Sequence, residues 1–182
     1  ADVGAGSPLR LCYAGRAADM KGPFDWLEAL AKLRDAGAPF TATWWGDGPL
    51  LEAMQRQVKA LSLAAQVELK GFVSDRTALL NAMKSAHLFL FCHKTPESPR
   101  CLIEALVCGT PIVGYASAYA RDLVATHGGG RFVDVDDIQG LADLLLTLHR
   151  DRTALQAEIG RAARAGVRFD EKTIYRERAN LI

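Results

Sequence analysis

The sequence predicts an α/β fold, a doubly wound, Rossmann-like parallel sheet of about six strands. Two observations carry this. Short apolar runs rich in β-branched and aromatic residues alternate with longer stretches of helical period, and glycine-bearing polar turns follow the runs. The first strand is expected over residues 9–14. Beyond Gly15, Phe24, Leu27, Leu30 and Ala31 recur at helical spacing until Gly37, a natural C-terminal stop. A second strand over 40–45 turns through Gly46-Asp47-Gly48-Pro49 into a helix striped by Leu51, Met54, Val58 and Leu61. The third, 67–70, ends at Gly71, and Ser74 or Asp75 can cap a helix carrying Leu79, Leu80 and Met83. Residues 87–92 form the most apolar strand, which predicts a central place buried on both faces. After a polar loop, 93–99, a helix over 100–107 stops at Gly109. A fifth strand at 111–115, a short helix at 119–126, a break at 128–130 and a sixth strand at 131–135 follow. Asp134 to Asp137 can cap a helix lined by Leu141, Leu144, Leu145 and Leu148, and Asp151 can cap another toward Gly166. Residues 1–8 read as a linker, 9–166 as one domain and 167–182, with Phe169, Ile174 and Tyr175, as a helical tail.

Composition narrows the function. The 182 residues carry 22 Lys+Arg against 21 Asp+Glu, a net charge of +1, with 49% hydrophobic and 24% charged residues. These are globular proportions. The near balance, with no basic run, speaks against nucleic acid as a partner. No apolar run reaches the roughly 18 residues of a membrane helix, and the start lacks a secretory pattern. Cys12, Cys92, Cys101 and Cys108 fit neither a zinc spacing nor a disulfide framework, so a reducing, cytoplasmic location is expected.

Ligands of such sheets bind beyond the strands' carboxyl ends, and two loops there carry chemistry. Gly15-Arg16-Ala17-Ala18-Asp19-Met20-Lys21-Gly22 sets two cations at a strand-to-helix turn, where anions collect; as plain surface charges they would need no ligand. The loop from His93 to Pro99 leads into Arg100-Cys101-Leu102-Ile103-Glu104. An uncapped helix start there offers N–H donors to a phosphate, Glu104 one turn in can accept two ribose hydroxyls, and Glu97 could hold a sugar. In the plainer reading Ser98 is an N-cap and both glutamates are solvated. His93 directly follows the central strand and is a candidate phosphate or sugar contact, whereas His87 and His127 suit structural roles.

Taken in order, Gly15-Arg16 with Lys21-Gly22, Gly46-Asp47-Gly48-Pro49, Leu69-Lys70-Gly71-Phe72-Val73, and Glu97 through Glu104-Ala105-Leu106 with Gly109-Thr110-Pro111 resemble the C-terminal, donor-binding domain of the retaining GT-B glycosyltransferases of family 4. The likeness runs over residues 9–148. It implies that Arg16 and Lys21 bind the diphosphate of a UDP- or GDP-linked sugar and that Glu104 holds its ribose. The loop backbone at Gly46, Phe72 and Val73 would line the nucleotide side, with Phe72 and Val73 meeting the base edge. Ser98 and the amides of Arg100, Cys101 and Leu102 would surround the distal phosphate. Arg16, Lys21 and Glu97 would then be the catalytic set. The family separates its two acids by seven residues; here six lie between Glu97 and Glu104, and Pro99 and Arg100 replace small residues, which bears on how Glu97 is aimed.

The chemistry needs fixed cations where charge develops on the leaving phosphate, and neither a metal nor another cofactor is expected. Asp-X-Asp spacing occurs at Asp134-Val135-Asp136, but that cluster ends a strand and is read as the cap of the next helix rather than as the triplet with which metal-dependent transferases hold a cation. The resemblance further implies a saccharide or lipid-linked acceptor, an N-terminal GT-B domain outside this chain, and, through the full-length protein, peripheral association with the cytoplasmic face of the membrane. Two other readings remain: a non-catalytic nucleotide-sugar binding module, and a sugar-nucleotide epimerase or phosphorylase of the same fold.

Overall fold

Every expected strand forms, and all of them pair in one parallel sheet. A computed structural model describes residues 3–4 and 6–169. Its strands are β1 (Leu9–Ala14), β2 (Phe40–Trp45), β3 (Val67–Gly71), β4 (Leu88–Phe91), β5 (Ile112–Tyr115) and β6 (Gly130–Val133). Between and after them run α1 (Pro23–Asp35), α2 (Leu51–Ala60), α3 (Arg76–Ser85), α4 (Arg100–Val107), α5 (Ala118–Val124), α6 (Ile138–Arg150) and α7 (Arg152–Val167). The strand order is β3-β2-β1-β4-β5-β6, so the winding reverses between β1 and β4. Helices leaving opposite faces open a crevice at that point.

The apolar runs explain the core. All four residues of β4 and of β5 are buried, as expected for strands covered on both faces. Trp26 of α1 meets Trp44 of β2 edge to face at 5.4 Å, and its indole N–H donates to the carbonyl of Leu90 at 3.1 Å. Aspartates start the helices: Asp75, Asp137 and Asp151 each accept an amide three residues on, at 2.8–2.9 Å.

Several ends move. β3 runs on to Gly71 because its carbonyl accepts the Gly46 amide. β6 occupies 130–133 rather than 131–135: the Ala116 amide closes its ladder on Val133, and Asp134 then turns back onto Asp137. α5 starts one residue early at Ala118, behind the Ser117 cap. Of the linker, Ser7 is tied through its carbonyl to Arg152. α7 reaches Val167, Phe169 packs on the core, and Ile174 and Tyr175 lie outside the described residues. Among the described residues no helix is long and apolar enough to cross a membrane.

Candidate functional site

Main-chain bonds extend the sheet into its loops and so fix the crevice floor. The Gly15 amide donates to Trp45, Ala17 to Asp47, Leu50 to Ala17 and Gly46 to Gly71, all at 2.9–3.0 Å. Such close stitching excludes a side chain at Gly46: its φ is 142°, and a Cβ there would stand 2.1 Å from the Gly15 carbonyl oxygen. The three loops thereby hold Arg16, Gly46, Asp47, Gly48, Pro49 and Phe72 around one open cleft of about 650 Å³. Phe72 is 77% exposed, a large apolar ring facing out, and Val73 beside it is half-buried.

Lys21 ends a 3-10 turn, Asp19–Lys21, that Gly22 closes in the left-handed conformation. A Cβ at Gly22 would meet the Cys92 carbonyl at 2.2 Å, so glycine lets this loop lie against the end of β4. The Lys94 amide then donates to Met20, and Lys21 Nζ reaches Glu97 Oε1 at 2.5 Å. Despite the shorter spacing, Glu97 thus faces the predicted phosphate lysine. Pro99 is the N-cap of α4 and offers no side-chain cap, and Ser98 is exposed without capping it. Of the three amides assigned to phosphate, that of Leu102 donates back to Pro99 at 3.2 Å. Burial pushes the Cys101 thiol up to about 12, which keeps it from acting as a nucleophile. Glu104 pairs with Arg76 of α3, Oε1 to Nη2 at 2.9 Å, over a separate hollow of about 260 Å³ shared with Arg100 and Phe169.

His93 lies differently from a solvent-facing contact. It is buried, its Nε2 is 2.8 Å from the Tyr13 hydroxyl, and burial with Lys21 nearby pushes its pKa down to about 3. The imidazole is therefore neutral. Next to it Lys94 bridges Asp25 at 2.8 Å and Asp136 at 2.9 Å, while the Tyr115 hydroxyl donates to Asp25 at 2.6 Å. Those hydrogen bonds raise the Lys94 pKa. This network, Arg76 and Tyr13 escaped the sequence reading; Asp25 looks like an ordinary first-turn acid, and nothing local marks its partners. The four thiols are free, and no cluster of three or more potential metal ligands occurs among the described residues.

The predicted residues thus occupy one edge of the sheet but not one cavity. Arg16, Gly46 and Phe72 share the first cleft, Lys21 and Glu97 pair with each other, Arg100 and Glu104 share the second hollow, and His93 lines a third. Cationic side chains and open helix amides along that edge can hold an anion, and a carboxylate within reach can accept hydroxyls.

Known proteins share this fold. The 2-deoxystreptamine N-acetyl-D-glucosaminyltransferase of Niallia circulans is 33% identical over 132 residues, 72% of this chain and 33% of the relative. Anabaena Alr3699/HepE, solved in complex with UDP, superposes with a TM-score of 0.79 at 26% identity, over 96% of this chain and 48% of that one. The C-terminal domain of the Francisella tularensis group 1 glycosyl transferase LpcC matches in fold, with a TM-score of 0.75 at 18% identity over 91% and 87% of the two chains. The chain spans a third to under half the length of the curated relatives it matches. Residues 5–166 match the family described as glycosyl transferases group 1, and the chain belongs to that family.

Proposed function

We propose that this chain is the donor-binding half of a retaining glycosyltransferase that moves a sugar from a nucleoside diphosphate, UDP first among them, to a saccharide or lipid-linked acceptor. The observation that carries the reading is the Lys21–Glu97 pair beside the uncapped start of α4, with Arg16 on the same crevice. As the bond to the diphosphate breaks, negative charge grows on the leaving phosphate. Arg16, Lys21 and the amides of Arg100 and Cys101 stabilise it most where it is greatest, in the transition state. The donor's phosphate takes Lys21 from Glu97, and that frees the carboxylate for the transferred sugar. Glu104, steadied by Arg76 on one oxygen, takes the ribose hydroxyls, and Phe72 with Val73 borders the base. UDP is chosen because the UDP-bound Anabaena neighbour is 26% identical over nearly the whole chain. The reading assigns charge neutralisation to these cations rather than to a metal. Most of the acceptor's binding surface falls to an N-terminal domain, through which the full-length protein would meet the cytoplasmic face of the membrane.

Protein-observed NMR tests this directly. Adding UDP should shift the amides of residues 15–22 and 100–102, with uridine, which keeps the ribose, moving only those near Phe72 and Glu104. Equal shifts with uridine at residues 15–22 would remove their phosphate role.

A further inference from the structure

Past the Lys21–Glu97 pair, the carboxyl edge of the sheet carries a third hollow, about 240 Å³, over the ends of β4, β5 and β6. Its walls include His93, Lys94, Pro96, Ser117, Ala118 and Val135. His93 is the group there that offers the hollow a ring donor. It is 7% exposed, and its Nε2 lies 2.8 Å from the hydroxyl of the fully buried Tyr13. That hydroxyl has no other partner among the described residues, so it donates to Nε2; the reverse arrangement would orphan a buried O–H. The neutral ring then carries its own proton on Nδ1. Among the described residues nothing accepts from Nδ1, and it is not one of the side-chain atoms shut away without a partner, so it opens onto the hollow as a donor that a ligand can use.

The walls define the acceptor that would suit it. Lys94 already faces two carboxylates, Asp25 and Asp136, so the hollow offers an anion no free cation. Pro96, Ala118 and Val135 supply apolar surface beside the hydroxyl of Ser117 and the Nδ1–H of His93. Neutral donors set among small apolar patches match a sugar ring, with its C–H faces and hydroxyls. The volume lies below the roughly 300–1,000 Å³ usual for sites of larger ligands, so one ring fits rather than a nucleotide. We infer that this hollow is a saccharide subsite in which His93 Nδ1–H donates to a hydroxyl of the acceptor's sugar. The assignment to the acceptor rests on the proposed donor reading, which places the base beside Phe72, the ribose at Glu104 of α4 and the transferred sugar at Glu97.

The test titrates the chain with glucose, N-acetylglucosamine and mannose at about 1–10 mM, the range expected of a single ring. It follows the His93 ring nitrogens by NMR, with and without saturating UDP-glucose. One of the sugars should shift Nδ1 and bind equally well beside UDP-glucose. His93→Asn, whose amide can stand in for Nδ1–H, should bind within about threefold of wild type, and His93→Leu about tenfold or more weakly, one lost hydrogen bond. Both lose the Tyr13 bond, so a difference between them reports the donor rather than the fold. Ala118→Trp, an exposed position on the rim, should abolish sugar binding and leave UDP binding intact. Absence of binding by all three sugars, or wild-type binding by His93→Leu, overturns the subsite. Displacement of the sugar by UDP-glucose overturns the acceptor assignment, giving the hollow to the donor's own sugar. Failure of UDP itself to bind would bring down the donor reading, and the acceptor assignment with it, while sugar binding at His93 stood.

Discussion

Glu104 answers to two partners, the Arg76 guanidinium at 2.9 Å and the ribose proposed for it. Arg76 is 63% exposed, and an ion pair so open to solvent contributes about 0–1 kcal/mol. Arg76→Gln should therefore weaken UDP less than about fivefold in a calorimetric titration, well short of the effect of removing Glu104. His93 makes a second residue-level prediction. Its pKa is about 3 in the folded chain against 6.5 for a free histidine, so between those values the unfolded chain binds a proton that the folded one refuses. Its contribution is complete above pH 6.5 and is lost as the pH falls toward 3. At pH 5, 1.5 units below the free value, the loss is about 2 kcal/mol. His149, also pushed down by burial, adds the same sign. Urea unfolding at pH 7 and pH 5 should show the loss in the wild type and less of it in His93→Asn. Neither partner pair was legible in the sequence: Tyr13 and His93 stand 80 positions apart, Arg76 and Glu104 28, and no local pattern joins them.

At the scale of the elements, the loops after β1, β2 and β3 behave as one piece because their main chains are bonded to each other. Gly46→Ala puts a Cβ 2.1 Å from the Gly15 oxygen at a positive φ. It should cost about 1–3 kcal/mol and displace Arg16; thermal melting together with UDP titration reads both. Leu90 lies fully buried in β4, and Leu90→Ala should cost about 2–5 kcal/mol in urea unfolding without touching a ligand group. The place of β4 was readable in advance, since only a strand covered on both faces can be apolar throughout. Its neighbours' ends were not. β6 stops at Val133 because a carbonyl there meets the Ala116 amide, a choice made by the partner strand. The 3-10 turn at Asp19–Lys21 is too short for any periodicity to announce, yet it aims Lys21.

For the whole molecule, the alternation of strands and helices specified the fold class, while the order β3-β2-β1-β4-β5-β6 is a property of pairing that a linear pattern does not contain. That order creates the crevice and brings Lys21 to Glu97 across 76 positions. Residue types and loop positions, read through a family likeness, named Arg16, Lys21 and Glu104; their distribution over separate hollows emerged only from the fold. A donor that spans the edge should bind across those hollows as a unit. Calorimetric titration of this chain with UDP, GDP and ADP, beside Glu104→Ala, measures that most directly. UDP should bind in preference to the other two, and the variant should lose about tenfold or more in affinity with its fold intact, the worth of a hydrogen bond to a charged group. Unchanged UDP affinity in a folded Glu104→Ala protein, or binding of none of the three at about 1 mM, would contradict the donor site described for this edge.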